Sequence, residues 1–267
     1  MNNFITYQLE SAIILAFFYA VYRAFFRNET FFTINRFILL GSLPVSFLLP
    51  LLNFSSGNTA LLPLPSITLP VIDVAGTATG QATTFSASPL LYIYLAGVIA
   101  LVIHAVYNIS AIAAIKRKAE VRQTKDNKIY LVKKGHSFSF FRNIFLNPHN
   151  QTEKELEQIK EHEKVHVNHY HSLDALLIHL VIIFQWFNPF AWLLKYAIYE
   201  NHEFIADRET SRKVSEYKYQ DLLLRQAAGI PLSTLVHPFN QISLKRRFKM
   251  FRGHYLVSVH NMAPNFG

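Results

Sequence analysis

Three long apolar runs constrain this fold more than any other feature of the sequence. They cover about residues 5–26, 37–52 and 89–115, and the second is short and contains Pro44. A helix of about 20 apolar residues crosses the roughly 30 Å of hydrocarbon in a bilayer. The chain is also 51% hydrophobic and only 16% charged, which is more apolar than a typical soluble domain. The sequence therefore predicts a mainly α, polytopic membrane protein with three transmembrane helices.

Basic residues predict how these helices are oriented. Arg23, Arg27 and Arg36 flank the first short loop, and a basic cluster beginning at Lys116 follows the third run. No Lys or Arg occurs between residues 36 and 116. By the positive-inside rule, the amino terminus and an external loop at 53–88 lie outside, and the chain after the third helix is cytoplasmic.

The segment 161–166, Glu-His-Glu-Lys-Val-His, carries a pattern typical of zinc hydrolases. On a helix, His162 and His166 lie one turn apart on the same face, so both imidazoles can bind one Zn²⁺ at about 2.0–2.1 Å. Glu163 projects about 100° from His162, which suits a general base that takes a proton from water at the metal. The alternative is a pair of solvated histidines on a charged helix.

A catalytic zinc needs a third protein ligand and one open position. Glu203 fits this requirement, and Asp207, one turn further on, could hydrogen-bond a ligand histidine. His202 is expected to contact substrate or support a ligand, because it faces about 100° away from Glu203. Four side chains are candidates for contact with the transition state, with Tyr199 and His202 foremost: Tyr170, Tyr196, Tyr199 and His202.

Three further histidines compete weakly as ligands. His169 lies on the face of His166 but further along the helix axis, so a straight helix cannot easily wrap it around the same ion. We expect His171 to point elsewhere, in an interfacial or capping role. His179 lies within an apolar run and is interpreted as a buried histidine with a backbone partner.

A fourth apolar stretch, 173–199, separates the two halves of this motif. As one continuous span it would place Glu203 on the opposite side of the membrane from His162. Asn188-Pro189 offers a break, because proline removes a backbone donor and disfavours helix at the preceding residue. The sequence therefore predicts a re-entrant helical hairpin that returns Glu203 to the cytoplasmic side.

Short β-branched and aromatic runs precede the metal motif, at 129–132 and 140–146. They predict a small cytoplasmic β-hairpin, which either packs under the metal helix or holds an extended substrate by strand addition. Thr152 and Glu155 then form a capping-box pattern that predicts the start of the metal-binding helix.

Several motifs together resemble one known family. The segments 162–166, 171–174, 186–189 and 202–207 are similar to the membrane metallopeptidase domain of the BlaR/MecR-type antirepressor family, in the form common in Bacteroidetes. The first loop and the basic segment 239–250 also resemble that family, so the similarity covers about residues 1–250.

The resemblance implies a zinc-dependent endopeptidase of the gluzincin type in the bacterial inner membrane. His162, His166 and Glu203 would be the zinc ligands and Glu163 the general base. Relatives sense an external ligand and inactivate a cytoplasmic transcriptional repressor by cleavage. They usually continue with a further membrane helix and a sensor, whereas residues 254–267 contain no candidate span.

This interpretation divides the chain into three parts: a membrane region at 1–115, a zinc peptidase domain at 116–215 with its hairpin at 173–199, and a basic segment at 216–267. The basic residues Lys245, Arg246, Arg247 and Lys249 are expected to face anionic lipid or solvent rather than nucleic acid. Two other functions stay open. One is a signal transducer in which the metal is structural and no cleavage occurs, and the other is a membrane quality-control protease.

Overall fold

The computed structural model describes residues 2–52, 88–123, 128–133, 135–149, 151–214, 216–228 and 246–249. Of these residues, 78% are helical. The helices are α1 Asn2–Val21, α2 Phe32–Leu48, α3 Ser88–Lys118, α4 Glu153–Asn168, α5 His171–Phe184, α6 Pro189–Lys213 and α7 Glu216–Ala228. A π-helical turn, Tyr22–Phe26, extends α1, and a 3-10 turn, Leu49–Leu51, extends α2.

Within the part of the chain that the structure describes, three helical segments are long and apolar enough to cross a membrane. They are Phe4–Phe26, Phe32–Leu51 and Pro89–Lys118, which confirms the three predicted apolar helices. The second begins earlier than its apolar run, because polar Asn35 is buried and donates a hydrogen bond to the Phe26 carbonyl at 3.1 Å. The predicted external loop lies outside the described residues as far as residue 87.

The small sheet has four strands, β1 Glu120–Gln123, β2 Lys128–Leu131, β3 Phe138–Phe140 and β4 Asn143–Leu146. Their order is β1-β2-β4-β3; β2 and β4 are parallel, and both outer pairs are antiparallel. The predicted hairpin between 129–132 and 140–146 is therefore wrong. The second run turns back on itself at Phe141, which has a positive φ of 52°, so only its later half pairs with β2.

Two breaks shape the helices that follow the sheet. Thr152 and Glu155 form the predicted capping box at the start of α4. The chain bends by 60° between α4 and α5, where Tyr170 adopts the left-handed conformation with φ 55°, and the sequence did not predict this bend. The predicted break before Pro189 is present, because α5 ends at Phe184 and the Asn188 side chain caps α6 by accepting a hydrogen bond from the Phe190 amide.

Helix α6 connects two hydrophobic cores. Its first half, including Leu194 and Ile198, packs in a cluster with α1, α2 and α5. Its second half, including Phe204 and Ile205, packs with the sheet, α4 and α7. Burial in both cores fixes the rotation of α6, and therefore the direction in which its polar residues point.

Helix α3 contacts this assembly at several places, and its closest approach is at Gly97. A Cβ built at Gly97 would lie 2.4 Å from the Trp186 ring, and the Trp186 indole donates a hydrogen bond to the Tyr94 carbonyl at 3.3 Å. Only glycine permits this approach. The contact attaches α3 to the turn between α5 and α6.

Candidate metal centre

The structure brings His162 and His166 of α4 together with Glu203 of α6. The two Nε2 atoms of the histidines are 3.1 Å apart. Glu203 Oε2 lies 3.6 Å from His162 Nε2, and Glu203 Oε1 lies 3.5 Å from His166 Nε2. These three residues form a group that could hold a metal ion.

The separations fit a tetrahedral ion. Ligand bonds of about 2.0–2.1 Å at tetrahedral angles place the ligand atoms roughly 3.3–3.4 Å apart. The Nε2 atoms of the two histidines are 3.1 Å apart, close to that value. Each of them lies 3.5–3.6 Å from one oxygen of Glu203, Oε1 for His166 and Oε2 for His162. Two imidazoles and one carboxylate also leave one position open, as catalytic zinc sites do.

Glu163 lies beside this group and is nearly buried, with 9% of its surface exposed. Burial raises the pKa of its carboxyl, while the charge of His162 and a hydrogen bond from Ser139 act in the opposite direction. Ser139 belongs to β3, which is an edge strand of the four-stranded sheet. The sheet edge therefore lies against the helix that carries the candidate general base.

A chain of hydrogen bonds contacts the Nδ1 side of the His162 ring, opposite the Nε2 atom that faces the candidate metal position. The Tyr219 hydroxyl on α7 lies 2.7 Å from His162 Nδ1 and donates to Asp207 Oδ1 at 2.8 Å. Asp207 Oδ1 itself is 3.7 Å from His162 Nδ1, too far for a direct hydrogen bond. Asp207 was predicted beside a ligand histidine, and Tyr219, 57 residues after His162, lies between them without any signal in the motif spacing.

The carboxylates at the site contact the basic C-terminal segment. Arg247 donates to both oxygens of Asp207 at 2.6 Å, and its Nη1 lies 3.2 Å from Glu203 Oε2. Burial alone would raise the pKa of Glu203, but the charge of Arg247 and the nearby imidazoles of His162 and His166 hold that pKa well below its usual value.

Arg246, next to Arg247, pairs with Glu200 and donates to the Arg27 carbonyl at 2.8 Å. Arg246 and Arg247 therefore contact carboxylates on α6, namely the half-buried Glu200 and the buried Asp207. Lys249 is exposed and Lys245 lies outside the described residues. Contact of this segment with anionic lipid stays a prediction.

His166 is supported from the opposite side. His171 Nδ1 lies 2.8 Å from His166 Nδ1, and the His171 ring stacks on His202 at a centroid distance of 4.0 Å. The expectation that His171 points elsewhere is therefore wrong. The unpredicted bend at Tyr170 turns the chain back, so His171 faces α4 instead of continuing around its axis.

This support extends to the start of α2. His202 Nε2 lies 2.8 Å from Asp174 Oδ2. Arg36 contacts the same carboxylate with Nε at 2.7 Å and Nη2 at 3.1 Å, and Nη2 also donates to the His169 carbonyl at 2.6 Å. Arg36 thus connects a candidate membrane helix to the residues that hold a candidate metal ligand.

The remaining predicted residues lie as follows. His169 Nε2 is 2.7 Å from Glu209 Oε1. His179 is half-buried, and its Nδ1 lies 2.6 Å from the Ala175 carbonyl and 3.3 Å from the Tyr199 hydroxyl, which confirms a backbone partner for His179. Tyr170 and Tyr196 are both exposed at the surface.

Among curated proteins, none matches this chain. A family model described as BlaR1 peptidase M56 matches residues 55–251, which contain the three candidate metal ligands, Glu163 and, except for Arg36, the residues that support them. Peptidases of this family are metallopeptidases, so the match implies a metal, usually zinc. The resemblance inferred from the sequence is confirmed, and the chain belongs to the BlaR1 peptidase M56 family.

Proposed function

We propose that this chain is a membrane-embedded zinc endopeptidase of the gluzincin type, which transduces a signal by cleaving a cytoplasmic transcriptional repressor. The observation that carries the proposal is the spacing of His162, His166 and Glu203, which suits one tetrahedral ion, with Glu163 beside them. Membership of the peptidase family supports the same conclusion.

His162, His166 and Glu203 would hold the zinc, which supplies Lewis-acid chemistry when bound. Glu163 accepts a proton from the attacking water and passes it to the leaving amine. Its burial on α4 suits this role, because a raised pKa brings a carboxyl closer to neutral pH, where it can both take and return a proton. The contacts of His202 with Asp174 and His171 favour a supporting role over substrate contact.

The edge strand β3 offers a place for the substrate. An extended peptide can add to a free strand edge through main-chain hydrogen bonds. Because Ser139 of β3 hydrogen-bonds Glu163, a peptide lying along this edge would pass the general base. This geometry favours a cleaved segment that is extended and unstructured.

We place the active site on the cytoplasmic side of a bacterial inner membrane, with the amino terminus outside. Basic residues at both ends of the α1–α2 loop and at the end of α3 support this orientation. Helix α5 has 14 residues, or about 21 Å, which is too short to cross about 30 Å of hydrocarbon. The α5–α6 pair therefore suits a re-entrant hairpin that enters and leaves on one side.

Glu163→Gln tests the proposal. We expect this variant to lose cleavage by about 10²–10⁴-fold, the range for general acid–base catalysis, while it keeps one zinc per chain. The measurements are new amino termini in cells expressing the protein, by mass spectrometry, and zinc in the purified protein, by emission spectroscopy. Glu157→Gln is the matched control, because Glu157 lies on the same helix, is exposed and pairs only with Lys160 among the contacts described.

Retained cleavage in Glu163→Gln would exclude its role as the base. A non-proteolytic transducer is the second candidate, favoured by the link from Arg36 on α2 to the metal site. It predicts that Glu163→Gln leaves signalling intact while Glu203→Ala abolishes it. Cleavage of many unrelated membrane proteins would instead indicate a quality-control protease.

A further inference from the structure

The buried Tyr219 and Asp207 and the half-buried Arg247 form a continuous hydrogen-bonded path on the Nδ1 side of His162. Tyr219 is 1% exposed and Asp207 is 0% exposed, and Arg247 contacts both oxygens of Asp207. Tyr219 comes from α7 and Arg247 from residues 246–249, so both follow the metal-ligand helices in sequence.

With a metal bound to His162, the hydrogen bonds along this path can run in only one direction, from His162 through Tyr219 to Asp207. A metal on Nε2 of His162 leaves the ring proton on Nδ1, which must then donate. The nearest acceptor is the Tyr219 oxygen at 2.7 Å, and the Tyr219 hydroxyl donates to Asp207 Oδ1 at 2.8 Å. Arg247 has only donors, so it completes the path by donating to Asp207.

Hydrogen bonds that run in the reverse direction would prevent a metal from binding at Nε2 of His162. If Tyr219 donated to Nδ1, the neutral ring would carry its proton on Nε2, the nitrogen that faces His166 and Glu203. Asp207 cannot set the direction without Tyr219, because its oxygen is 3.7 Å from Nδ1. The Tyr219 hydroxyl thus links the Asp207 carboxylate to the His162 ring, and through this link one tautomer of the ring is favoured.

We propose that Tyr219 and Arg247 are positioning residues of the metal centre. Tyr219 holds His162 in the metal-binding tautomer, and Arg247 fixes the carboxylates of Asp207 and Glu203 that face it. Metal affinity then depends on the packing of α7 and of residues 246–249 against α6. This inference rests on the proposed zinc site.

Tyr219→Phe is the first test, made in the full-length protein in detergent. The phenylalanine ring retains the packing of Tyr219 in the core but has no hydroxyl. We expect zinc affinity, measured by competition with a chromophoric chelator, to fall by about 10–100-fold, the usual cost of losing an outer-shell partner. The absorption spectrum of the cobalt-substituted protein should also change, because the imidazole ligand is less well oriented.

Tyr130→Phe is the matched control. Tyr130 is 4% exposed, lies on β2 and stacks on Phe145 at 5.1 Å, within a cluster separate from the metal site. It should leave zinc affinity and the cobalt spectrum unchanged.

Arg247→Lys provides a second variant in case Tyr219→Phe does not fold. Lysine keeps the charge but loses the bidentate contact with Asp207, so zinc affinity should fall by less than in Arg247→Gln. The double variant Tyr219→Phe with Asp207→Asn should lose less affinity than the sum of the two single losses, because both changes break the same path.

Unchanged zinc affinity and an unchanged cobalt spectrum in Tyr219→Phe, with a lower unfolding temperature for the metal-free protein, would overturn the inference and leave Tyr219 a packing role. If Tyr219→Phe is unfolded, equal affinities of Arg247→Lys and the unaltered protein would overturn it. Absence of stoichiometric zinc in the unaltered protein is a separate outcome, since it refutes the proposed zinc site itself.

Discussion

The two candidate ligand histidines lie one turn apart on α4, but different regions of the molecule support them. His162 is backed by Tyr219 and Arg247, which come from the C-terminal part of the chain. His166 is backed by His171, and the contacts continue through His202 and Asp174 to the first turns of α2. One metal site therefore joins two regions that are far apart in sequence.

This difference indicates which displacements in the structure would affect each histidine. A displacement of α2 would act on Arg36 and Asp174, and so on His166, while the path behind His162 contains no residue of α1 or α2. Conversely, undocking of residues 246–249 would act first on Asp207 and Glu203. The two histidines are therefore supported by different residues, although Arg246 beside Arg247 also donates to the Arg27 carbonyl between α1 and α2.

The largest effect is expected from Arg36→Met. It removes the guanidinium from a carboxylate with only 9% side-chain exposure, and breaking such a pair from one side costs about 3–5 kcal/mol. The free energy of unfolding in detergent measures this loss. Lys213→Met is the control, because Lys213 is exposed and pairs with the half-buried Glu161, and such a pair near the surface is worth at most about 1 kcal/mol. Similar losses in the two variants would mean that α2 is not specially coupled to the site.

His171→Phe should have the next largest effect. The ring can still stack on His202, but His166 loses the partner of its Nδ1, so zinc affinity should fall by about 10–100-fold. His179→Phe is the control, since His179 contacts the Ala175 carbonyl and Tyr199 instead. If affinity is the same in both variants, the support of His166 does not act on the metal.

Gly97→Ala should affect stability alone. The new methyl group would overlap the Trp186 ring, and overpacking of this kind costs about 1–3 kcal/mol. Zinc affinity should not change, because the contacts of α3 among the described residues are with α1, α5, the α5–α6 turn and the sheet. The unfolding free energy and the chelator assay together test this, with Gly41→Ala as control, where a Cβ meets nothing within 4 Å. A loss of zinc affinity would show that α3 is a third region coupled to the metal site.

The smallest expected effect is the energetic coupling between the residues that support His162 and those that support His166. The hydrogen bonds given above for His171 and Tyr219 join them to different residues. The affinity losses of His171→Phe and Tyr219→Phe should therefore add within about 0.3–0.5 kcal/mol. The double variant in the same chelator assay measures the sum. A larger deviation would show that the two supporting regions act on the metal as one unit.

Much of the architecture could be predicted because it depends on local chemistry. Long apolar runs predict membrane helices, the Thr152–Glu155 pair starts α4, and Asn188-Pro189 ends one helix and begins another. The grouping of His162, His166 and Glu203 was also predicted, since helical spacing and the need for a third ligand require it.

The parallel pairing of β2 with β4 and the bend at Tyr170 could not be read in this way. Both depend on single turns, at Phe141 and Tyr170, where a non-glycine residue adopts positive φ. Isolated sequence carries little signal for such a conformation, because it costs free energy locally and persists only when the surrounding packing stabilises it.

The sequence by itself determined the apolar helices, the helix ends and the identity of the candidate metal ligands, because each follows from residue types within a few turns. Only the tertiary structure decided which side chains support those ligands. Tyr219 and Arg247 reach Asp207, and His171 reaches His166, because packing around α6 and the bend before α5 set their directions. Hydrogen bonds between distant segments require a fixed relative placement of whole helices, which no local pattern specifies.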